Sequence, residues 1–158
     1  HTGDRALARG DLVLVDFGAV NNGYCSDITR TFVLGVATAE QREIYEVVRE
    51  ANVRSSGALR VGMTGMAADA VAREYIDAFG LGEAFGHSLG HGIGLEIHEA
   101  PRLAKAAEAP LPSGAVVTIE PGVYRPGWGG VRIEDDVLVT DDGPRILTSF
   151  PRDLHELI

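Results

Sequence analysis

The stretch from Gly86 to Pro101, G-H-S-L-G-H-G-I-G-L-E-I-H-E-A-P, constrains the fold more than any other part of the chain. Gly82, Gly86, Gly90, Gly92 and Gly94 crowd together here, and each glycine inside a helix costs about 1 kcal/mol relative to alanine. The segment is therefore loop and strand. It also carries His87, His91 and His98, three of the five histidines in the chain. His87 and His91 have the i, i+4 spacing of a helical zinc pair, but the glycines remove the helix. Ser88 stands where H-E-x-x-H chemistry needs a glutamate. His91 has glycine on both sides, which leaves room for the close backbone approach of a ligand loop. A lone histidine is most simply a structural residue, whereas three in one glycine-rich run point to a site. Alternation cannot be followed through so many glycines, so the face of His98 stays open.

Four carboxylates belong with these histidines. Asp16 ends the apolar run L-V-L-V-D-F from Leu12 to Phe17, and a carboxylate buried there needs a cation or strong donors. A second run, Ile28 to Leu34, is rich in β-branched residues, and Asn21-Asn22-Gly23 between the two predicts a hairpin. A turn centred on Asn21-Asn22 puts Asp16 directly opposite Asp27, whereas one centred on Asn22-Gly23 makes them diagonal neighbours. Both registers leave them on one face. Like charges held so close require either a proton or a cation, unless both are ordinary exposed aspartates. Glu120 ends V-V-T-I, again an acid at the end of an apolar strand. Glu134 lies in V-R-I-E-D-D-V-L-V, where alternation groups it with Arg132 and Asp136, and a solvated strand face is the competing reading.

The remaining chain reads as two amphipathic helices and several strands. Thr38 to about Leu59 is a helix with a Thr38/Gln41 capping box and Ile44, Val47, Val48 and Ala51 on its core face. Thr64 opens a second, with a stripe of Ala67, Val71, Tyr75, Ala78 and Phe79 that ends at Gly80. Leu103 to Pro112 reads as a surface connection, Ala115 to Ile119 as a strand, and Pro121 to Gly130 as a loop. Val131 to Thr140 reads as one long strand, followed by a turn at Asp141 to Pro144 into Arg145 to Thr148. No internal linker or tandem repeat stands out. Two strands, two helices and then several strands predict an α+β domain, an antiparallel sheet with helices on one face.

Composition removes several function classes. The formal net charge of -9 and the lack of a Lys/Arg cluster argue against nucleic-acid and anionic-membrane partners. No apolar run approaches the ~20 residues of a membrane span. The lone Cys25 rules out an internal disulfide, agrees with a reducing, cytoplasmic setting, and reads as a small buried apolar residue. The chain opens on His1-Thr2-Gly3-Asp4 and reaches a strand almost at once, so upstream sequence is expected. Two aspartates, two glutamates and a histidine form an oxygen-rich, sulfur-free donor set with too many acids for one ion. That set suits Mn²⁺, Co²⁺ or Fe²⁺, with Zn²⁺ also compatible. Two ions sharing carboxylates, about 3.5–4 Å apart, can turn a bridging water into a hydroxide nucleophile.

The motifs V-D-F-G-A, S-D-I-T-R-T-F, G-H-G-I-G-L-E-I-H-E, T-I-E-P-G-V-Y and V-R-I-E-D-D, in this order, resemble the pita-bread metallopeptidases. These include methionine aminopeptidase, aminopeptidase P and prolidase. The resemblance runs from about Gly10 to the C-terminus. It implies a single catalytic domain over 1–158, a curved antiparallel sheet with helices on its outer face, lacking part of its N-terminal side. It implies the metal ligands Asp16, Asp27, His91, Glu120 and Glu134, with Asp27 and Glu134 bridging two divalent ions, Mn²⁺ or Co²⁺ first. It also implies that His98 contacts the substrate carbonyl, that His87 lines the proline-side pocket, and that Glu120 shuttles protons. A further family histidine falls near His1. R-I-E-D at Arg132 to Asp135 resembles the Xaa-Pro-cleaving branch, in which the matching arginine can serve a substrate carboxylate. The favoured activity is that of an Xaa-Pro dipeptidase acting on small peptides with proline second. The alternatives are an aminopeptidase P and a non-catalytic interaction domain on the same fold. A homodimer is expected for the full-length protein.

Overall fold

A computed structural model describes residues 4–158; His1 lies outside them. Two strands, β1 (Leu12–Phe17) and β4 (Ile28–Leu34), pair antiparallel, with the short β2 (Val20–Asn21) and β3 (Tyr24–Cys25) forming the tip between them. Asn22 and Gly23 both have positive φ, at 52° and 84°. The turn is therefore centred on Asn22-Gly23, and Asp16 pairs with Thr29. Asp27 is the diagonal neighbour of Asp16, the second of the two registers the sequence allows. The C-terminal strand β12 (His155–Leu157) adds to β4 in parallel.

Helix α1 (Ala39–Ala58) begins with the expected capping box: Thr38 accepts from the Gln41 backbone and Gln41 reaches back to the Thr38 N–H. Ile44, Val47, Val48 and Ala51 are buried, as the stripe predicts. Helix α2 (Gly65–Asp77) differs from the expected stripe. Ala67, Ala78 and Phe79 are exposed and Val71 and Tyr75 half-buried, while Gly65, Ala68, Asp69, Ala72 and Ile76 face the core. The face turns because Asp69 is satisfied inside, accepting from Nε and Nη2 of the Arg73 guanidinium and from the Leu89 N–H.

Both helices cover a five-stranded sheet in the order β11 (Gly143–Ile146), β10 (Asp135–Thr140), β7 (Val116–Ile119), β5 (Gly90–Gly92) and β6 (Glu99–Leu103). β5 runs through the histidine stretch. A Cβ at Gly90 would stand 1.9 Å from the Thr118 carbonyl oxygen and one at Gly92 would stand 2.2 Å from that of Ala100. Those two glycines let neighbouring strands close on His91. Two expectations change. Pro121 to Gly130 is not a loop but most of a hairpin, β8 (Gly122–Arg125) and β9 (Gly129–Arg132). The long strand from Val131 breaks at Ile133 and Glu134, because the Glu134 N–H donates to the Thr29 carbonyl at 3.0 Å and leaves the ladder. The surface connection after Leu103 also buries Leu111. One arrangement thus occurs twice: an acid, a glycine-containing hairpin, and a second acid, at Asp16 to Asp27 and at Glu120 to Glu134.

Candidate active site

Five expected ligands and one expected catalytic histidine meet in one cleft of about 250 Å³, lined by Asp16, Asp27, His91, His98, Glu120 and Glu134. Phe17 and Ile97 supply apolar walls. Asp27, His91 and Glu134 each offer a ligand atom, and these atoms lie within 4.8 Å of one another. Asp16 stands at the end of β1, Asp27 at the start of β4, His91 in β5, Glu120 just after β7 and Glu134 in the break between β9 and β10. The acids at these strand ends therefore come from both sheets.

The chemistry of the set matches a cation site. Burial, then the neighbouring Asp16, raises the Asp27 pKa. Burial raises Glu120 to about 7 and Glu134 to about 9, Glu120 itself adding to the shift of Glu134. Carboxylates this close and this dehydrated hold protons unless a cation takes their place. His91 is buried and its pKa is lowered by that burial, so the imidazole is neutral. Its Nδ1 lies 3.0 Å from the Gly92 carbonyl, which makes Nδ1–H the donor. Nε2 is left with a lone pair, 3.4 Å from Glu120, the state in which histidine binds metal. These residues can hold divalent ions.

His98 is exposed and packs beside His91, with ring centroids 4.2 Å apart and the ring planes tilted by 52°. Arg132 does not line the cleft but borders it. It donates to Asp16, to Tyr124 Oη at 2.8 Å and to Thr29 Oγ1 at 3.2 Å. His87 lies outside the cleft, in a separate pocket with Arg73 and Lys105. Burial lowers its pKa and its Nδ1–H donates to the Ser88 carbonyl, so Nε2 accepts from Tyr124 Oη at 3.2 Å. Its link to the site therefore runs through Tyr124 and Arg132. Cys25 is half-buried rather than buried and lines an adjoining apolar groove.

Sequence reasoning passed over two threonines. Thr29 is fully buried and donates to Glu134 Oε2 at 2.6 Å. Thr118, equally buried, donates to Glu120 Oε1 at 3.2 Å while accepting from the His91 N–H at 3.1 Å. Alternation was a usable signal: Thr29 lies two residues after Asp27, and Thr118 two before Glu120, so each shares its acid's face.

Residues 1–141 match the model of metallopeptidase family M24. The chain is 54% identical over 151 residues to the Xaa-Pro dipeptidase of Pyrococcus furiosus, covering 96% of this chain and 43% of that protein. Among solved structures it resembles an Xaa-Pro dipeptidase from Bacillus anthracis, with a TM-score of 0.96 and 51% identity over 98% of this chain and 44% of that one. It likewise resembles an X-Pro aminopeptidase from Thermotoga maritima, with a TM-score of 0.95 and 45% identity over 98% of this chain and 44% of that one. The chain spans less than half the length of each of these relatives. The α+β architecture expected from the motifs is the one these structures share.

Proposed function

The chain belongs to metallopeptidase family M24, and on that premise we propose that it carries the catalytic site of a dinuclear Xaa-Pro dipeptidase. The observation that carries this reading is the convergence of Asp27, His91 and Glu134 ligand atoms within 4.8 Å, in a cleft that also holds Asp16 and Glu120. Asp16, Asp27, His91, Glu120 and Glu134 would hold the two ions; four oxygen donors to one nitrogen suit Mn²⁺, Co²⁺ or Fe²⁺ and are compatible with Zn²⁺, and the family resemblance puts Mn²⁺ or Co²⁺ first. Bound there, the metals would polarise the substrate carbonyl and lower the pKa of the attacking water.

The chain's own groups do the rest. His98, exposed at the cleft beside His91, donates to the carbonyl oxygen as negative charge gathers on it. Glu120 takes the proton of the attacking water and delivers it to the proline nitrogen, with Thr118 Oγ1 fixing its carboxylate. Arg132, anchored by Tyr124 and Thr29, presents its remaining N–H groups to a substrate carboxylate at the cleft edge. His87 supports that arginine by accepting from Tyr124 rather than by lining the cleft. Phe17 and Ile97 offer the residue before proline an apolar wall to pack against.

The test is hydrolysis of Xaa-Pro dipeptides against longer Xaa-Pro peptides by the intact protein loaded with Mn²⁺, Co²⁺ or Zn²⁺. Faster turnover of dipeptides supports the dipeptidase. Faster turnover of longer peptides supports the aminopeptidase, which the likeness to the Thermotoga maritima enzyme keeps as the second reading. No hydrolysis with any of the three metals would rule out both.

A further inference from the structure

We propose that Asn52 is a positioning residue for the metal centre: from α1, on the far side of the sheet, its side-chain amide holds the two glutamate-bearing segments together. The inference rests on Glu120 and Glu134 being metal ligands. Asn52 is fully buried, on the same face of α1 as Ile44, Val48 and Ala51. Its Nδ2 donates to the Ile119 carbonyl at 2.9 Å and to the Ile133 carbonyl at 3.1 Å. Both partners are acceptors, so the group facing them is the NH₂, and each of its two hydrogens is used.

Those two carbonyls belong to the residues immediately before Glu120 and Glu134. Ile119 is the last residue of β7, and Ile133 lies in the break between β9 and β10. Each therefore sits where regular pairing stops and the backbone turns its next side chain into the cleft. One amide spans the two positions. Filling the core does not account for an asparagine here: its Oδ1 is buried without a partner, and an apolar side chain of that size would avoid the desolvation. Ser55 and Ser56 share the same buried turn of α1, and their hydroxyls are also unpartnered. Asn52 differs from them in what it holds. Without the amide, the Ile119 and Ile133 carbonyls lose their shared donor, and the two segments keep only the Ile119–Asp135 strand pairing and the 3.4 Å bond from the Ile133 N–H to the Pro121 carbonyl between them, which leaves the turn of each glutamate less firmly set. Metal ligands tolerate little of that, because their distances must fall within about 0.2 Å of ideal.

The experiment strips the intact protein of metal and titrates it with Co²⁺, following visible absorption and thermal unfolding. Wild type is compared with Asn52→Leu, with Asn52→Asp, which sets an oxygen against the two carbonyls, and with Ser56→Ala as a buried control on the same helix. Folded Asn52→Leu and Asn52→Asp should bind Co²⁺ at least about tenfold more weakly, the scale of losing a group that orients a ligand. Their absorption bands should be altered, while Ser56→Ala should match wild type. Wild-type affinity and spectrum in the folded Asn52 variants would overturn the proposal. So would failure of both to fold while Ser56→Ala folds, since Asn52 would then serve the fold. Absence of Co²⁺ binding by wild type would instead overturn the ligand assignment itself.

Discussion

Replacing Glu134 by glutamine should remove a pH dependence of stability that the metal-free protein carries. Glu134 is 2% exposed, and burial lifts its pKa from 4.5 to about 9. In the unfolded chain it ionises near 4.5, while in the folded chain it keeps its proton until about pH 9. The folded state is thus penalised progressively as pH rises between those values, by about 1.4 kcal/mol per pH unit. At pH 7 the accumulated penalty is about 3 kcal/mol. Thr29 offsets part of it by donating to the carboxylate. The assay is urea denaturation of metal-free wild type and Glu134→Gln at pH 5, 7 and 8.5. The variant should gain on wild type at each step upward, and saturating Mn²⁺ should reverse the order by favouring the ionised carboxylate. Parallel pH profiles for the two metal-free proteins would refute the reasoning.

Three other substitutions follow from the same contacts. Thr29→Val removes the hydroxyl that donates to Glu134 and accepts from Arg132. It should weaken Mn²⁺ binding about tenfold, measured by calorimetry, and Thr29→Ser should restore it. Arg30→Met leaves buried Asp135 with Arg152 as its remaining cation and strips a donor from the Glu134 carbonyl. Denaturant unfolding should show a loss of about 3 kcal/mol, which Arg30→Lys would not recover because it lacks the planar fork. Gly90→Ala sets a Cβ against the Thr118 carbonyl. It should cost about 1–3 kcal/mol and distort the Co²⁺ spectrum, because His91 follows directly.

Asp16 and Glu120 stood out in the sequence because each ends an apolar run, a place where a buried unpaired charge is costly, although Asp16 proves exposed; the grouping of all five candidate ligands came from the motif resemblance. The α1 face and its capping box were legible for a similar reason, since periodicity and cap agree. The hairpin register was not. Asn21, Asn22 and Gly23 all tolerate positive φ, and only the fold selects Asn22-Gly23. The α2 face was missed because Asp69, a polar residue by composition, is buried by its pairing with Arg73 and Leu89. The break at Glu134 depends on a bond to Thr29, distant in sequence, and no local pattern announces it. The placement of His87 outside the cleft that holds the acids, with its ring joined to Tyr124, is not something the motif resemblance specifies. Asn52 was visible only as a polar residue on an apolar helix face.

The two-metal reading is tested most directly by counting bound metal. The intact protein, stripped and then dialysed against Mn²⁺, should retain two ions per chain by elemental analysis. Asp27→Asn, which alters an acid set between Asp16 and the Glu134 cluster, should retain fewer than one. Two ions in both proteins, or none in either, would contradict the assignment.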